Sequence, residues 1–284
     1  DEIVIFRPEM HFKRLNNSAR RLSMPEVDID FVIESLKELI AIEKDWIPAK
    51  KGESLYIRPV MIGTDKLLGV HPSKKFKFYI ILSPVGAYYP EGFKPVKILV
   101  QDKYVRAVRK GLGDCKTPAN YAASLLATEE ANREGYTQVL WLDGVELKYI
   151  EEVGTMNIFI VFKDEVVTPA LTGSILPGVT RDTVLHLLKE WSINHSERLV
   201  SIDELIQKYD KGELLGVFGT GTAAIISSVS EIKYKDRKLI INNGNPDDLA
   251  VRLFNEITGI HYGLVPDKHN WLTPIDVQIN SARG

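Results

Sequence analysis

Apolar positions recur along this chain with two different periods, and the change of period divides it. Over 29–42 they fall at Ile29, Val32, Ile33, Leu36, Leu39 and Ile40, which share one face of a helix. A second helical pattern, over 9–23, follows Arg7-Pro8, where proline suits a first helical turn. The opening run Ile3-Val4-Ile5-Phe6 reads as a strand, and β-branched and aromatic residues predict two more over 54–62 and 76–82. Prolines and glycines from Ser83-Pro84 to Gly92 then interrupt regular structure. The predicted organisation is a small domain over 1–83, a linker over 84–95 and a larger domain over 96–280. Because the chain opens at Asp1 inside a strand-like run, further residues are expected ahead of it, and the small domain is read as truncated.

The larger part mixes its elements. Strands are predicted at 96–100, 138–142, 147–151, 158–162, 215–218, 224–229 and 239–242, and helices at 119–134, 181–191, 203–209 and 247–258. Strand clusters broken by single helices predict an α+β sheet or barrel, not regular βαβ winding.

Composition narrows the function classes. Hydrophobic residues make up 44% of the 284 and charged residues 26%, the balance of a soluble globular protein. With 36 Lys+Arg against 38 Asp+Glu the formal net charge is -2, which argues against a nucleic-acid partner. No apolar run reaches bilayer length and no apolar leader opens the chain, so a cytoplasmic protein with no membrane partner is expected. The single cysteine, Cys115, rules out an internal disulfide framework and a cysteine-rich zinc site. The six histidines show no i, i+4 pair, so no metal is expected. Walker, Rossmann and serine-nucleophile motifs are absent as well.

Four glycine-punctuated segments remain. Gly111-Leu112-Gly113-Asp114-Cys115-Lys116 puts a lysine in a turn before a helix. Buried and desolvated, such an amine becomes a nucleophile or Schiff-base former, although a loop lysine is more often a solvated charge. Glu151-Glu152-Val153-Gly154 places acids at a strand end, either a buried partner for a protonated ring nitrogen or two rim charges. Leu176-Pro177-Gly178-Val179-Thr180 is a glycine turn entering a helix, an anion site or an ordinary cap. Gly219-Thr220-Gly221-Thr222-Ala223 would let backbone approach a ligand, or is a plain strand turn.

These segments, together with Ser54-Leu55-Tyr56-Ile57-Arg58-Pro59 and in this order, resemble the branched-chain amino-acid aminotransferases, pyridoxal-phosphate enzymes of fold type IV. The resemblance covers nearly all of the chain. It implies a two-domain α+β fold, a small α/β domain with a larger pseudo-barrel domain, and a homodimer or an assembly of dimers. The implied reaction is transamination of leucine, isoleucine and valine with 2-oxoglutarate. By the same resemblance Lys116 carries the cofactor covalently and moves the proton between the substrate α-carbon and the cofactor. Tyr121 meets the phenolic oxygen, and Glu152 keeps the ring nitrogen protonated. Arg14, the backbone at Val179 and Thr180, and the Thr222 hydroxyl hold the phosphate. Tyr56, Arg58, Tyr88, Thr155, Thr222 and Ala223 are the implied substrate contacts. Ala224 and Ser227 stand where some relatives carry a Cys-x-x-Cys pair, so thiol redox control is not expected. The alternatives are another fold type IV enzyme, a D-amino-acid aminotransferase or an aminodeoxychorismate lyase, and a catalytically impaired fragment. Segments 54–59 and 152–157 argue against the first two.

Overall fold

A computed structural model of the chain describes residues 2–50, 52–86 and 93–276. The chain forms two compact units, Asp1–Pro90 with Gly263–Gly284, and Glu91–Tyr262. The first begins with strand β1 (Ile3–Phe6) and helices α1 (Pro8–Arg21) and α2 (Ile29–Ile42). Asn16 clips the connection between the helices, donating to Val27 O and accepting from Val27 N, each at 2.9 Å. Asp28 caps α2 by accepting from Phe31 N at 3.0 Å. The apolar stripe of α2 buries Val32, Leu36 and Ile40 against Ile5 and Phe12. Strands β2 (Ser54–Gly63) and β3 (Phe76–Val85) form a separate two-stranded antiparallel sheet running from Ser54↔Val85 to Gly63↔Phe76. One face of that hairpin, with Ile57, Phe78 and Ile80, packs on the same core.

The second unit runs through β4 (Val96–Gln101), α3 (Pro118–Ala122), α4 (Leu125–Arg133), β5 (Gln138–Leu142), β6 (Ile150–Val153), β7 (Met156–Phe162) and β8 (Val166–Thr168). It continues with α5 (Val179–Glu190), β9 (His195–Glu197), α6 (Ile202–Asp210), β10 (Leu214–Gly221), β11 (Ile225–Tyr234), β12 (Arg237–Ile240) and α7 (Asp248–His261). The strand order β10-β11-β4-β5-β6-β7 closes on itself because β10 also pairs β7, from Leu214↔Phe162 to Thr220↔Asn157. Six strands therefore ring a core of Ile98, Leu140, Val153, Ile158, Ile160, Val217, Val229 and Ile232. Closure removes the sheet edges and buries side chains that an open sheet would leave wet. This is the α+β pseudo-barrel implied by the sequence. A last strand, β13 (Leu272–Ile275), pairs antiparallel with β1, from Ile3↔Ile275 to Phe6↔Leu272, and so belongs to the first unit.

Several boundaries differ from expectation, each for a local reason. The large unit ends at Tyr262 where 280 was expected, because β13 completes the sheet of β1. β3 continues through Pro84 to Val85 where a linker was expected to begin; in a two-stranded sheet every strand is an edge, which tolerates proline. The expected helix over 119–134 is two, α3 and α4. Asn120 turns its amide back to Leu112 O and Cys115 O, and Ser124 Oγ bonds Tyr121 O instead of continuing the helix. The strand expected over 147–151 starts only at Ile150. Ahead of it the Asp143 carboxylate gathers the N–H groups of Val145, Glu146, Lys148 and Tyr149 into a turn with Leu147 at φ 50°. Among the described residues no helix is long and apolar enough to cross a membrane.

Candidate active site

Within the second unit a small open cleft is lined by Arg106, Cys115, Asn120, Tyr121, Glu152, Gly154, Thr155 and Leu176. Lys116 sits at the end of the irregular segment that precedes α3. Its side chain is exposed, as the spacing alone favoured, and not desolvated; Nζ lies 2.6 Å from the Tyr121 hydroxyl. Lysine and tyrosine, five residues apart, meet because the segment turns at Thr117 and Pro118 opens α3. The turn itself is pinned by Asn120, whose amide reaches Leu112 O at 2.7 Å and Cys115 O at 2.8 Å.

Both acids of β6 are buried, so neither is a rim charge. Successive strand residues face opposite ways. Glu151 accepts from Ser174 Oγ, and Glu152 lines the cleft. Arg106 Nε is 2.7 Å from Glu152 Oε2. Glu152 Oε1 accepts from Asn157 Nδ2 at 3.1 Å and Leu176 N at 3.2 Å. Burial pushes the Glu152 carboxyl up to about 7, against the pull of the Arg106 guanidinium and the Leu176 N–H. Burial likewise raises Glu151, opposed by Ser174 and Arg106.

Asn157 joins the acid to the helix start. Its Nδ2 also donates to Leu176 O at 2.8 Å, and a Cβ at Gly178 would lie 2.1 Å from its Oδ1, so the chain can pass there only as glycine. Helix α5 then opens with Val179 and Thr180, both buried. Its first helical bond runs from Asp182 N to Gly178 O, so the N–H groups of Val179, Thr180 and Arg181 precede it, as in an anion-binding helix start. Thr222 and Ala223 are exposed in the turn between β10 and β11. That turn closes through Ile225 at φ 59°, a strained conformation for a β-branched residue, and a Cβ at Gly221 would lie 3.1 Å from Met156 Cγ in the neighbouring β7.

The second unit thus brings together Lys116, Tyr121, Glu152 and Thr155, with Asn157 linking Glu152 to the segment that carries Val179 and Thr180. Arg14, Tyr56 and Arg58 belong to the first unit. Arg14 lies on α1 with Nη2 3.4 Å from His11 Nδ1, and Arg58 covers the Tyr56 ring at 5.1 Å on the hairpin face turned away from the core. Tyr88 lies outside the described residues. Arg106 and Asn157 were not singled out from sequence. Arg106 is one of several basic residues in an irregular stretch and carries no local signal, whereas Asn157 falls within the segment 152–157 with no role of its own.

The family described as amino-transferase class IV matches residues 2–232. A "probable branched-chain-amino-acid aminotransferase" of Staphylococcus aureus is 56% identical over 271 residues, 95% of this chain and 76% of that protein. The crystal structure of an Escherichia coli branched-chain amino acid aminotransferase superposes with TM-score 0.81 at 29% identity, covering 97% of this chain and 86% of that one. The branched-chain amino acid aminotransferase from Thermobaculum terrenum in its PLP-form gives TM-score 0.79 at 27% identity, covering 97% of this chain and 84% of that one.

Proposed function

The chain belongs to the amino-transferase class IV family, and from that premise we propose that Lys116, Tyr121 and Glu152 form the reacting centre of its aminotransferase activity. It is a branched-chain-amino-acid aminotransferase with pyridoxal 5'-phosphate as cofactor. The residues present fit that group: an amine beside a tyrosine hydroxyl, a buried carboxylate in the same cleft, and a helix start open to an anion. When bound, the cofactor supplies an electrophilic carbon for the substrate amine and a ring that accepts the electron pair released from the α-carbon.

Lys116 holds the cofactor and carries the α-proton. Tyr121 orients the lysine amine and meets the ring oxygen. Glu152 would hold the ring nitrogen and, ionised, would favour its protonated form. Val179, Thr180 and Thr222 receive the phosphate, and Thr155, Thr222 and Ala223 the substrate carboxylate and side chain. Resemblance alone assigns Arg14 to the phosphate and Tyr56, Arg58 and Tyr88 to the substrate. The co-substrate is 2-oxoglutarate, the assembly a homodimer and the compartment the cytoplasm.

The observation that carries this reading is the 2.6 Å contact between Lys116 Nζ and the Tyr121 hydroxyl at a cleft that Glu152 also lines. The test is glutamate formation from L-leucine and 2-oxoglutarate by the purified, cofactor-loaded protein, with D-leucine alongside. Activity with L-leucine alone is expected. Transfer from D-leucine in its place would move the chain to the D-specific branch of the fold.

A further inference from the structure

Glu152 is 3% exposed, and a carboxylate so placed stays ionised only if a cation and hydrogen bonds replace its water. Arg106, itself 8% exposed, is the cation in contact with it. Its Nη2 donates to Gly113 O at 3.4 Å and to Ser174 O. Those two carbonyls belong to the segments that matter on either side: Gly113 is three residues before Lys116, and Ser174 precedes the turn into α5. The segments touch so closely that a Cβ at Gly113 would sit 2.1 Å from Ser174 O. One planar guanidinium thus reaches the acid, the lysine segment and the helix-leading segment at once.

We propose that Arg106 is a positioning residue: it locks Glu152, the Lys116 segment and the segment leading to α5 in register, and keeps Glu152 ionised for the cofactor ring. The inference rests on the reading of Glu152 as the acid beneath the ring nitrogen. Lysine cannot fill the role fully, because an ammonium is a single point and lacks the fork that spans carboxylate and carbonyls.

The charged groups around Glu152 set the sign of the pH effect. Arg106 and Lys116 face it from the segment before α3 and lower its affinity for a proton, while Glu151 beside it on β6 raises it. Arg109 and Asp143 act one step further out, on Glu151. With the carboxyl already at about 7, removing the guanidinium leaves burial and Glu151 opposed by Lys116, the Leu176 N–H and the Asn157 amide, and protonation extends to higher pH.

The experiment compares Arg106→Met, Arg106→Lys, Glu152→Gln and the double variant R106M/E152Q. Two measurements are made: kcat/KM against pH for the loaded enzyme, and titration of the Glu152 carboxyl in apoprotein by difference infrared spectroscopy, with Glu152→Gln as the subtraction. In Arg106→Met the acidic limb and the infrared titration should both rise by about one to three pH units. Activity at neutral pH then falls about tenfold for each unit and partly returns as pH is raised. Arg106→Lys should keep the limb near its original place but release cofactor faster. The double variant carries no buried charge at the pair and should be no slower than Glu152→Gln alone. If Arg106→Met lowers the rate equally at every pH and leaves the infrared titration unmoved, or if the double variant's losses simply add, the proposal is overturned. Full turnover by cofactor-loaded Glu152→Gln would instead sink the reading of Glu152, while the infrared shift would still report the hold of Arg106 on it.

Discussion

In the hairpin β2–β3 side chains alternate between a covered face, with Ile57, Phe78 and Ile80 on the core, and an open one where Tyr79 and Ile81 are 37% and 47% exposed. In the barrel, β6 is buried at all four positions and β7 at all but one. The hairpin therefore leaves Arg58 exposed and Tyr56 half-buried at little cost. The barrel cannot place a charge on β6 without building a partner for it, and it builds several: Arg106, Asn157 and Leu176 N–H for Glu152, Ser174 for Glu151. Polarity on an open face is cheap, whereas a charge buried on a closed barrel has to be supported by partners.

The largest effect expected from breaking the barrel's side of this contrast is at the amine. Lys116→Ala should cut turnover by about a thousandfold or more and abolish covalent retention of the cofactor, since the variant has no nucleophile there. The measurement is cofactor retained after borohydride reduction and denaturation. Retention at the wild-type level would place the nucleophile elsewhere.

Packing offers the next contrast. Phe159 and Phe218 stack in the barrel wall with centroids 5.3 Å apart and 7° between planes, both fully buried. Phe159→Ala should cost about 3–5 kcal/mol. Tyr79→Ala, on the open hairpin face, should cost about 0.5 kcal/mol or less. Urea denaturation of each unit, followed by local probes, gives both numbers, and comparable losses would show that the hairpin's outer face is packed after all.

The same contrast explains what could be read from the sequence. Helix α2 was legible to the residue because Val32, Leu36 and Ile40 are buried by one amphipathic stripe and Asp28 caps it. The barrel strands β5 and β7 stood out by composition, since positions buried on both faces read as apolar runs. β8 and β9 did not, being three residues each. β13 was hidden because its partner β1 lies at the opposite end of the chain. At the site, Lys116, Glu152 and the glycine turns were visible as motifs, but Arg106 acquires meaning only when the barrel brings residues 106, 113, 152 and 174 together.

The smallest effect concerns a buried acid beside the barrel that has no cation against it among the described residues. Asp247 caps α7 by accepting from Ala250 N at 2.9 Å and presses on β10, where a Cβ at Gly216 would lie 2.5 Å from its Cγ. Burial pushes this carboxyl from 3.8 to about 6, despite the backbone N–H bonds that favour its charge. A carboxyl raised on folding contributes its full stability below the unfolded value and loses it as pH climbs through the folded one. The charged form therefore carries a penalty that begins near pH 4 and is complete above pH 6, with a ceiling on the order of 3 kcal/mol. Asparagine caps as well as aspartate and never ionises. Asp247→Asn should accordingly match the wild type in stability and Tm at pH 3.5 and melt higher above pH 6.5, with a stability gain of about 1 kcal/mol once the lost attraction of the charge to the helix start is deducted. A Tm difference that stays constant between those two pH values would mean that the carboxyl is as well solvated as one on the hairpin's open face.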